Sequence, residues 1–297
     1  GAVGGVIGGV SGEANECEFS GLVNNGHITY VGTTQLANVY FSGIVGKNHD
    51  TNSQKDFKVI KNCTNNGNIS STAKSVQAES LIFSGITGRL QINKDALCEN
   101  LVNNGHFTHN GTCKALTMGG ISSYSNQFAL KNCSNKGNLT VADNAVVSGS
   151  ALQMAGLVAA ALTANELTNC SNSGKIYVGS KATAGKTAVI AGLVTDKTII
   201  GTVSGCYNTA DIEIKDATFQ SWAIIGGLFA GNDNKTTIDT YQNCSNSGNI
   251  SVASNAVTPS SLHIGGCDGY DLNINELMDN VDNTGNITVG DNITLNG

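Results

Sequence analysis

Apolar side chains recur along this chain in an order that is written eight times. Each unit reads roughly apolar-x-Asn-Cys-x-Asn-x-Gly-Asn-Ile and then, after a variable stretch, apolar-small-Gly-apolar. Successive units are 32 to 41 residues apart, counted at Gly26, Gly67, Gly105, Gly137, Gly174, Ala210, Gly248 and Gly285. A period of this size with two unlike halves predicts stacked structural units, not a globular enzyme core.

The first half of the unit predicts short strands with one face toward the interior. Three positions are apolar in every copy: the Cys position, the one three residues before it and the one six residues after it. In the fourth copy these are Leu130, Cys133 and Leu139, and the residues between them are mostly polar. Such inward and outward patterning, repeated in register, is typical of β-strands.

Two polar positions in the first half predict a corner and a ladder. Gly and Asn tolerate positive φ, so a left-handed corner is expected just before the Cys position, at Gly21, Asn62, Asn100, Asn132, Asn169, Gly205, Asn243 and Asn280. Amides stacked at the ~4.8 Å strand spacing can bond to one another. A ladder is therefore expected two residues after the Cys position, at Asn24, Asn65, Asn103, Asn135, Asn172, Asn208, Asn246 and Asn283.

The second half of the unit predicts another corner. Its Gly follows a small residue and lies between apolar residues at −2 and +1, a spacing that breaks strand alternation and requires a bend or bulge. In the first copy we assign these positions to Val3, Gly5 and Val6. The Gly recurs at Gly43, Gly85, Gly120, Gly156, Gly192, Gly227 and Gly266.

These patterns predict an all-β, three-sided β-solenoid with parallel strands and about eight coils of roughly 37 residues. Each coil is expected to hold three short strands, two tight corners and one variable loop. Eight coils at ~4.8 Å give a rod about 40 Å long. We expect one domain over residues 1–297, which is also compatible with a segment of a longer surface protein. An alternative with two coils of about 18 residues per unit is disfavoured, because unlike halves would then stack on each other.

Composition excludes several classes of protein. Charged residues make up 13% of the chain, the net charge is −6, and there is no basic cluster, which argues against nucleic acid or anionic membrane as a partner. The longest apolar stretch, residues 151–164, is too short for a membrane span and contains one copy of the repeat. We expect it to form a strand.

Most of the nine cysteines occupy positions that other copies fill with Leu, Val, Phe or Ile. A position that accepts Leu is a hydrophobic position, where a free Cys behaves as a small apolar residue. We therefore expect buried, reduced thiols at Cys63, Cys98, Cys133, Cys170, Cys206, Cys244 and Cys267. Cys17 and Cys113 fall outside the pattern, and their redox state is left open.

One group of residue types could bind zinc: Cys98, His106, His109 and Cys113. However, Cys98 occupies a core position, and His106 and His109 are three apart on a strand, so they face opposite sides. We therefore expect no metal site here. The interpretation favours no catalytic residue, no cofactor and no metal anywhere in the chain.

Acidic and aromatic residues give weaker signals. Asp268 and Asp271 could contribute to a calcium turn, but a polar loop is the favoured interpretation. Trp222 is the only tryptophan and is expected to cap a loop. A carbohydrate-binding platform needs several exposed aromatic residues, and the sequence does not visibly gather them.

Parts of the second half, such as Ser42-Gly43-Ile44-Val45-Gly46 and Ala155-Gly156-Leu157-Val158, resemble the GLUG motif (Gly-Leu-hydrophobic-Gly). Asn-Cys-Ser-Asn-x-Gly-Asn-Ile, beginning at Asn243, is similar to the companion half of these repeats. Such repeats occur in surface and secreted proteins of gut bacteria, many described as adhesins, and outside the catalytic domain of some IgA-specific metallopeptidases. The resemblance covers nearly the entire chain. It implies a right-handed parallel β-helix and brings no catalytic residues.

We therefore expect a non-enzymatic adhesion or binding module, extracellular or on the bacterial cell surface, monomeric and not membrane-spanning. Its partner would be a host or extracellular protein or a glycan. Recognition is expected in the variable loops at residues 47–57, 72–79 and 252–261, because loops carry specificity on rigid scaffolds. The alternatives are a carbohydrate-active β-helix enzyme, which needs a groove with at least two carboxylates from neighbouring coils, and a spacer in a larger secreted enzyme.

Overall fold

The computed structural model describes residues 5–14, 17–31, 38–48, 57–72, 80–149, 151–196, 199–231, 236–258, 260–291 and 294–295. These residues form parallel strands stacked as a β-solenoid, with no α-helix among them. The all-β solenoid predicted from the repeat is confirmed. No helix in the described part of the chain is long and apolar enough to cross a membrane. Residues 151–164 contain strand Ala151–Ala155 and the start of strand Thr163–Thr168.

Sheet 1 contains the strand of each coil that leads into the Gly corner. Its eight strands, in spatial order, are Gly5–Gly8, Asn38–Ser42, Ser80–Ser84, Ala115–Gly119, Ala151–Ala155, Thr187–Ala191, Trp222–Gly226 and Ser261–Gly265. Sequence order and spatial order agree, so each coil lies on the preceding one.

Sheet 2 contains two rows of strands on either side of the Asn or Gly corner. The first row is Glu18–Ser20, Phe57–Lys61, Leu90–Glu99, Phe128–Lys131, Thr163–Thr168 and Ile199–Ser204, with Ser125–Asn126 beside Leu90–Glu99. The second row is Val23–Asn24, Thr64–Asn65, Val102–Asn103, Ser134–Asn135, Ser171–Asn172 and Tyr207–Asn208. Two long strands, Thr236–Asn246 and Leu272–Asn283, span both rows.

Sheets 3 and 4 complete each coil. Sheet 3 has eight strands: Ile28–Tyr30, Ile69–Ser71, Phe107–His109, Leu139–Val141, Ile176–Val178, Ile212–Ile214, Ile250–Val252 and Ile287–Val289. Sheet 4 has six: Thr112–Cys113, Val146–Val147, Thr183–Ala184, Thr218–Phe219, Val257–Thr258 and Thr294–Leu295. Two strand pairs lie just after the Gly corner: Ser11–Ala14 with Val45–Asn48, and Val194–Thr195 with Phe229–Ala230. The coil therefore has more strand segments than the three that were predicted. Among the described residues six coils carry all four sheets, slightly fewer than the eight coils predicted, because the first two have no described strand in sheet 4.

The predicted left-handed corner is confirmed in all eight copies. The six Asn residues at this position have φ between 50° and 55°, and Gly21 and Gly205 have φ of 69° and 62°. Asn and Gly are the residues that adopt this conformation at least cost, so the corner explains why the position admits no other type.

The predicted Asn ladder is also confirmed, and we call it the Asn column. The Nδ2 atom of each Asn donates to Oδ1 of the Asn in the next coil, over distances of 2.7 to 2.9 Å, through the seven steps from Asn24 to Asn283. The other Nδ2–H of each amide donates to the carbonyl two residues further on. Buried amides whose donors are used in this way avoid the ~1–3 kcal/mol penalty of an unsatisfied polar group.

The Asn column packs directly on the Gly of the second corner. A Cβ added to Gly156 would lie 2.4 Å from Cγ of Asn172 and 2.0 Å from the carbonyl oxygen of Gly192. The corresponding glycines of the other coils meet their own column Asn at 2.3 to 2.6 Å. The two invariant positions of the repeat, the corner Gly and the column Asn, therefore pack directly against each other.

This contact corrects the register predicted for the first coil. In sheet 1, Ile7 pairs with Phe41 and Gly8 with Ser42, which places Gly9 opposite Gly43. A Cβ on Gly9 would meet Cγ of Asn24 at 2.6 Å. The corner glycine is therefore Gly9, with Ile7 and Val10 beside it, and the assignment to Val3, Gly5 and Val6 was wrong.

Two apolar clusters fill the interior, one on each side of the Asn column and its glycines. The first joins sheet 2 to the segments after the Gly corner and contains Leu130 and Cys133. The second joins sheets 1, 3 and 4 and contains Met118 and Leu139. These side chains are fully buried, which confirms the inward positions read from the repeat.

All nine cysteines are free, and seven are buried. Burial raises the pKa of the Cys98 thiol to about 12, because the thiolate would lose its hydration. Cys113, which we had placed outside the pattern, is 1% exposed and pairs with Val147 in sheet 4. It therefore occupies an apolar position that the two-half repeat did not include. Cys17 is half-buried. Cys267, which we expected to be buried, is also only half-buried.

Candidate functional site

The outer face of sheet 1 carries a row of side chains that alternates with the inward row. The register of sheet 1 aligns these outward residues coil by coil. They are Tyr40, Ile82, Thr117, Gln153, Val189, Ile224 and His263. Several are nearly buried although they face away from the core; Val189 and Ile224, for example, are 0% and 1% exposed.

A second row covers this face from the segment that follows the Gly corner, which we call the arch. Parallel bridges align the arches of successive coils, for example Ser122 with Val158 and Val158 with Val194. Two residues after each bridged position the arches carry one residue of this row. Those whose side chains the structure describes are Arg89, Tyr124, Ala160, Asp196, Gly231 and Tyr270. The two rows line the same cavities, and we call the space between them the groove.

The first part of the groove is a cavity of about 280 Å³ between Tyr40 on sheet 1 and Tyr124 on the arch. The Arg89 guanidinium lies 5.3 Å from the centre of the Tyr124 ring, within cation–π range. Burial raises the pKa of the Tyr40 hydroxyl, and the charge of Arg89 partly opposes this. Tyr40 therefore keeps its proton near neutral pH and offers a neutral hydroxyl.

A chain of polar groups continues this part of the groove. Thr117 Oγ1 lies 3.5 Å from Gln153 Oε1, and Gln153 Nε2 donates to Asp196 Oδ2 at 3.2 Å. Asp196 is one of the few residues other than Asn or Gly with positive φ, at 89°. Its backbone is strained, and the arch holds the carboxylate beside the amide of Gln153.

The second part of the groove is a cavity of about 130 Å³ with an aromatic lining. Trp222, Ile224, Ser261, His263 and Tyr270 form its walls. The His263 and Tyr270 rings meet edge to face, with centroids 4.8 Å apart. Trp222 and Tyr270 also pack on a small external apolar cluster. Trp222 therefore lines the groove. The prediction that it caps a loop was wrong.

Of the carboxylates in the described residues, Asp196 alone lines these two cavities. Asp268 pairs with Phe229, whose side chain belongs to the core. Its Oδ1 accepts from the backbone N–H of Tyr270 at 2.9 Å, which orders the arch beside the second cavity. Burial raises the pKa of Asp268 to about 7, partly offset by that N–H. Asp268 thus has a structural partner, as expected for a polar loop.

The histidines weighed for zinc have other roles. Nδ1 of His106 accepts from the backbone N–H of Asn138 in the next coil, and Nδ1 of His27 accepts from Asn68 in the same way. At this position Asn and Asp use Oδ1 for the same bond. His109 faces the opposite side, as predicted, and is fully buried. In the part of the chain that the structure describes, no three His, Cys, Asp or Glu side chains are grouped to hold a metal.

The outer face of sheet 3 differs from the groove. Its outward residues are small and hydroxylic in most coils, and a single charged cluster interrupts them, in which Lys175 and Lys215 both pair with Glu213. A cavity of about 220 Å³ lies on this face, lined by residues that include Glu213, Ser251 and Thr288. No aromatic residue lines it, whereas the groove on sheet 1 has aromatic walls.

The variable loops expected to carry recognition lie partly or largely outside the described residues. Residues 49–56 and 73–79 are not described, and neither is residue 259 in the third loop. The groove residues escaped the sequence interpretation because they occupy outward positions of different coils. The signal was present at fixed offsets, three residues before and four residues after each corner Gly.

No family model, no curated protein and no solved structure matches this chain.

Proposed function

We propose that this protein is an extracellular adhesion module, displayed on a bacterial surface or secreted, which binds a neutral glycan chain along the groove. The observation that carries the proposal is the gathering of Trp222 and Tyr270, together with Ser261, in one concave site. The resemblance to GLUG-motif surface proteins supports the location, and the fold supplies the rigid scaffold.

Sugar rings present apolar C–H faces and polar edges, and the groove offers partners for both. Half-exposed aromatic faces such as those of Trp222 and Tyr270 can stack on the C–H faces. The amide of Gln153 and the carboxylate of Asp196 can exchange hydrogen bonds with hydroxyl groups. A site of this kind binds through a few oriented polar groups on an apolar lining.

Charge favours a neutral ligand. The lining of the two cavities contains one carboxylate, Asp196, and the arch adds one guanidinium, that of Arg89, which is stacked on Tyr124. The chain as a whole carries a net charge of −6, which disfavours sulfated or uronic polysaccharides by general repulsion.

The competing function, glycan cleavage, has less support in the groove. Retaining and inverting hydrolases generally place two carboxyl groups about 5–10 Å apart on either side of the bond that breaks. Among the described residues, Asp196 is the one carboxylate in the lining of the first cavity, and its Oδ2 already accepts a hydrogen bond from Gln153. Binding therefore remains the better supported proposal.

Trp222 provides a direct test because it is the only tryptophan in the chain. We expect a neutral oligosaccharide selected on a glycan array to change the intrinsic fluorescence saturably. Trp222→Ala, monitored by calorimetry, should weaken binding at least tenfold, equivalent to ~1.4 kcal/mol.

Tyr207→Ala is the matched control, because Tyr207 is a 47% exposed aromatic residue outside the groove. It should leave affinity unchanged. Arrays without a neutral ligand, or equal losses in the two variants, would remove the groove as the binding surface and leave the spacer interpretation.

A further inference from the structure

The groove is closed at one coil between its two cavities. The first cavity extends along sheet 1 to Gln153, and the second begins at Trp222. The strand between them, Thr187–Ala191, directs Val189 outward, and this side chain is 0% exposed. Val189 packs in an apolar cluster with Ala230 of the arch. Sheet and arch therefore leave no room for a ligand between them at this coil.

A second outward row on sheet 1 stays partly exposed across the closed coil. Its residues lie two positions before the row that begins at Tyr40, and we call them the rim row. The register aligns this row coil by coil as Asn38, Ser80, Ala115, Ala151, Thr187, Trp222 and Ser261. Ala151 and Thr187 are half-buried and have small side chains. They form a shallow crossing beside the closed coil.

The rim row takes part in both cavities. Ser80 lines the first cavity, and Trp222 and Ser261 line the second. A ligand that leaves the first cavity can thus follow the rim row over Ala151 and Thr187 and reach Trp222 without entering the closed coil. The half-buried indole offers an apolar face for a sugar ring at that point.

The spacing of the coils sets the length of ligand that can use both cavities. Two coil steps separate the strand of Gln153 from the strand of Trp222, which is ~10 Å at the strand spacing of ~4.8 Å. The outward row from Tyr40 to His263 covers six steps, or ~29 Å. A single sugar residue fills one cavity only, whereas an extended linear chain of several residues spans both.

We infer that the ligand is a linear segment of several sugar residues, held at once by a polar subsite around Gln153 and a stacking subsite at Trp222. This inference rests on the proposed function and adds the length and form of the ligand. Binding at one subsite makes the second event intramolecular, so a chain that spans both gains affinity over a chain that fills one.

A length series of one neutral oligosaccharide, selected on the glycan array, tests the two subsites. Calorimetry on the unmodified chain should show at least tenfold higher affinity for members that span both cavities than for short members. Trp222→Ala should weaken short and long members at least tenfold. Gln153→Ala should weaken the long members tenfold and leave the short ones unchanged, because the stacking subsite alone holds these. Circular dichroism checks that both variants fold.

Thr187→Arg, which blocks the crossing, is the decisive variant. Thr187 is half-buried on the outer face of sheet 1, so folding should be preserved. The variant should abolish the gain of affinity with length and leave the affinity of short members unchanged, because the second cavity stays intact. Thr140→Arg is the matched control, since Thr140 is a half-buried outward residue of sheet 3. It should retain the gain.

The same series separates failure of this inference from failure of the proposed function. A constant affinity across the series, or a gain that survives Thr187→Arg, would overturn the two-subsite inference and leave binding at Trp222 in place. A series in which no member binds would remove the proposed function and this inference with it.

Discussion

At the residue scale, contacts with the adjacent coils determine which residue types fit a given position. Nδ1 of His106 accepts a hydrogen bond from a backbone N–H of the next coil. Elsewhere in the same column, Oδ1 of Asn or Asp accepts the equivalent bond. His109, by contrast, lies in an inward column next to Val141 and Ser71 of the adjacent coils. Neither of its ring nitrogens has a hydrogen-bond partner among the described residues. It is therefore a buried neutral imidazole in an apolar column.

This burial predicts a pH dependence of stability. Desolvation lowers the pKa of His109 to about 4, only partly opposed by the backbone groups of Val146 and Gly111, whereas an unfolded His titrates near 6.5. Between these values the unfolded chain binds more protons, so acidification from pH ~6.5 to ~4 should cost up to about 3 kcal/mol. His109→Val should remove this loss. Urea unfolding of the unmodified chain and of the variant, each at pH 7 and pH 5, measures the difference.

Asp268 acts in the opposite direction and is the necessary control. Its pKa is raised to about 7 in the fold, so the folded state binds the extra proton and acidification below pH 7 stabilises it. Asp268→Asn should therefore steepen the acid loss, and His109→Val should flatten it. Equal pH slopes for the unmodified chain and His109→Val would contradict the assignment.

Strands and corners owe their geometry to the contact between the Gly corner and the Asn column. The repeat predicted each of the two features separately, but their meeting follows only from the stacking, since Gly156 and Asn172 are 16 residues apart in sequence. This contact also explains why the corner requires Gly although no positive φ is recorded there.

Gly156→Ala should therefore be strongly destabilising. The new methyl would overlap the Gly192 carbonyl oxygen and the Asn172 amide, and separating two coils would break column hydrogen bonds. We expect a loss of about 3 kcal/mol or more in the free energy of unfolding, measured by chemical denaturation.

Gly21→Ala separates steric overlap from backbone strain. Gly21 has φ of 69° and open space around its Cβ position, so the substitution should cost only the ~1–2 kcal/mol of a left-handed Ala. A smaller loss at Gly156 than at Gly21 would mean that the coils tolerate the methyl.

Most of the coil was predictable because inward positions repeat at fixed offsets, whereas the errors occurred where the local signal is ambiguous or short. Near the start, Gly4-Gly5-Val6 and Gly8-Gly9-Val10 match the corner equally well, and only the contact with Asn24 selects Gly9. Cys113 lies in a two-residue strand of sheet 4, which is too short to show periodicity.

The candidate site was less predictable than the coil. Trp222 and Tyr270 are 48 residues apart, and they line the same cavity because one lies on sheet 1 and the other on the arch of the next coil. Outward positions recur at fixed offsets from the corner Gly, but their residue types vary from coil to coil, so the repeat does not show which of them form a site. Their placement in one cavity depends on the cross-section of the coil, which the repeat period does not specify.

At the scale of the whole molecule, each coil contacts only its neighbours, so stability is a sum of local terms. Ile250 is 1% exposed between Ile212 and Ile287 in sheet 3. Ile250→Asp should cost several kcal/mol because it buries an unpaired charge. Hydrogen exchange should show lost protection in the last coils and retained protection in strands such as Leu139–Val141.

Ile287→Asp is the matched control, in the same column one coil further along and 44% exposed. It should change the stability of the monomer by less than about 1 kcal/mol, because the carboxylate stays hydrated. Uniform loss of protection over the entire chain in Ile250→Asp would show that the coils unfold as one unit.

The Asn column has a consequence for how such a chain can evolve. Every coil presents the same amide to the coil on either side, so a unit duplicated or deleted in frame meets a neighbour it already fits. Each event would change the rod by about one strand spacing, ~4.8 Å. The length of the rod can therefore change in steps of one coil during evolution, without changes to the interior. The reach of any binding site carried on the rod changes with it.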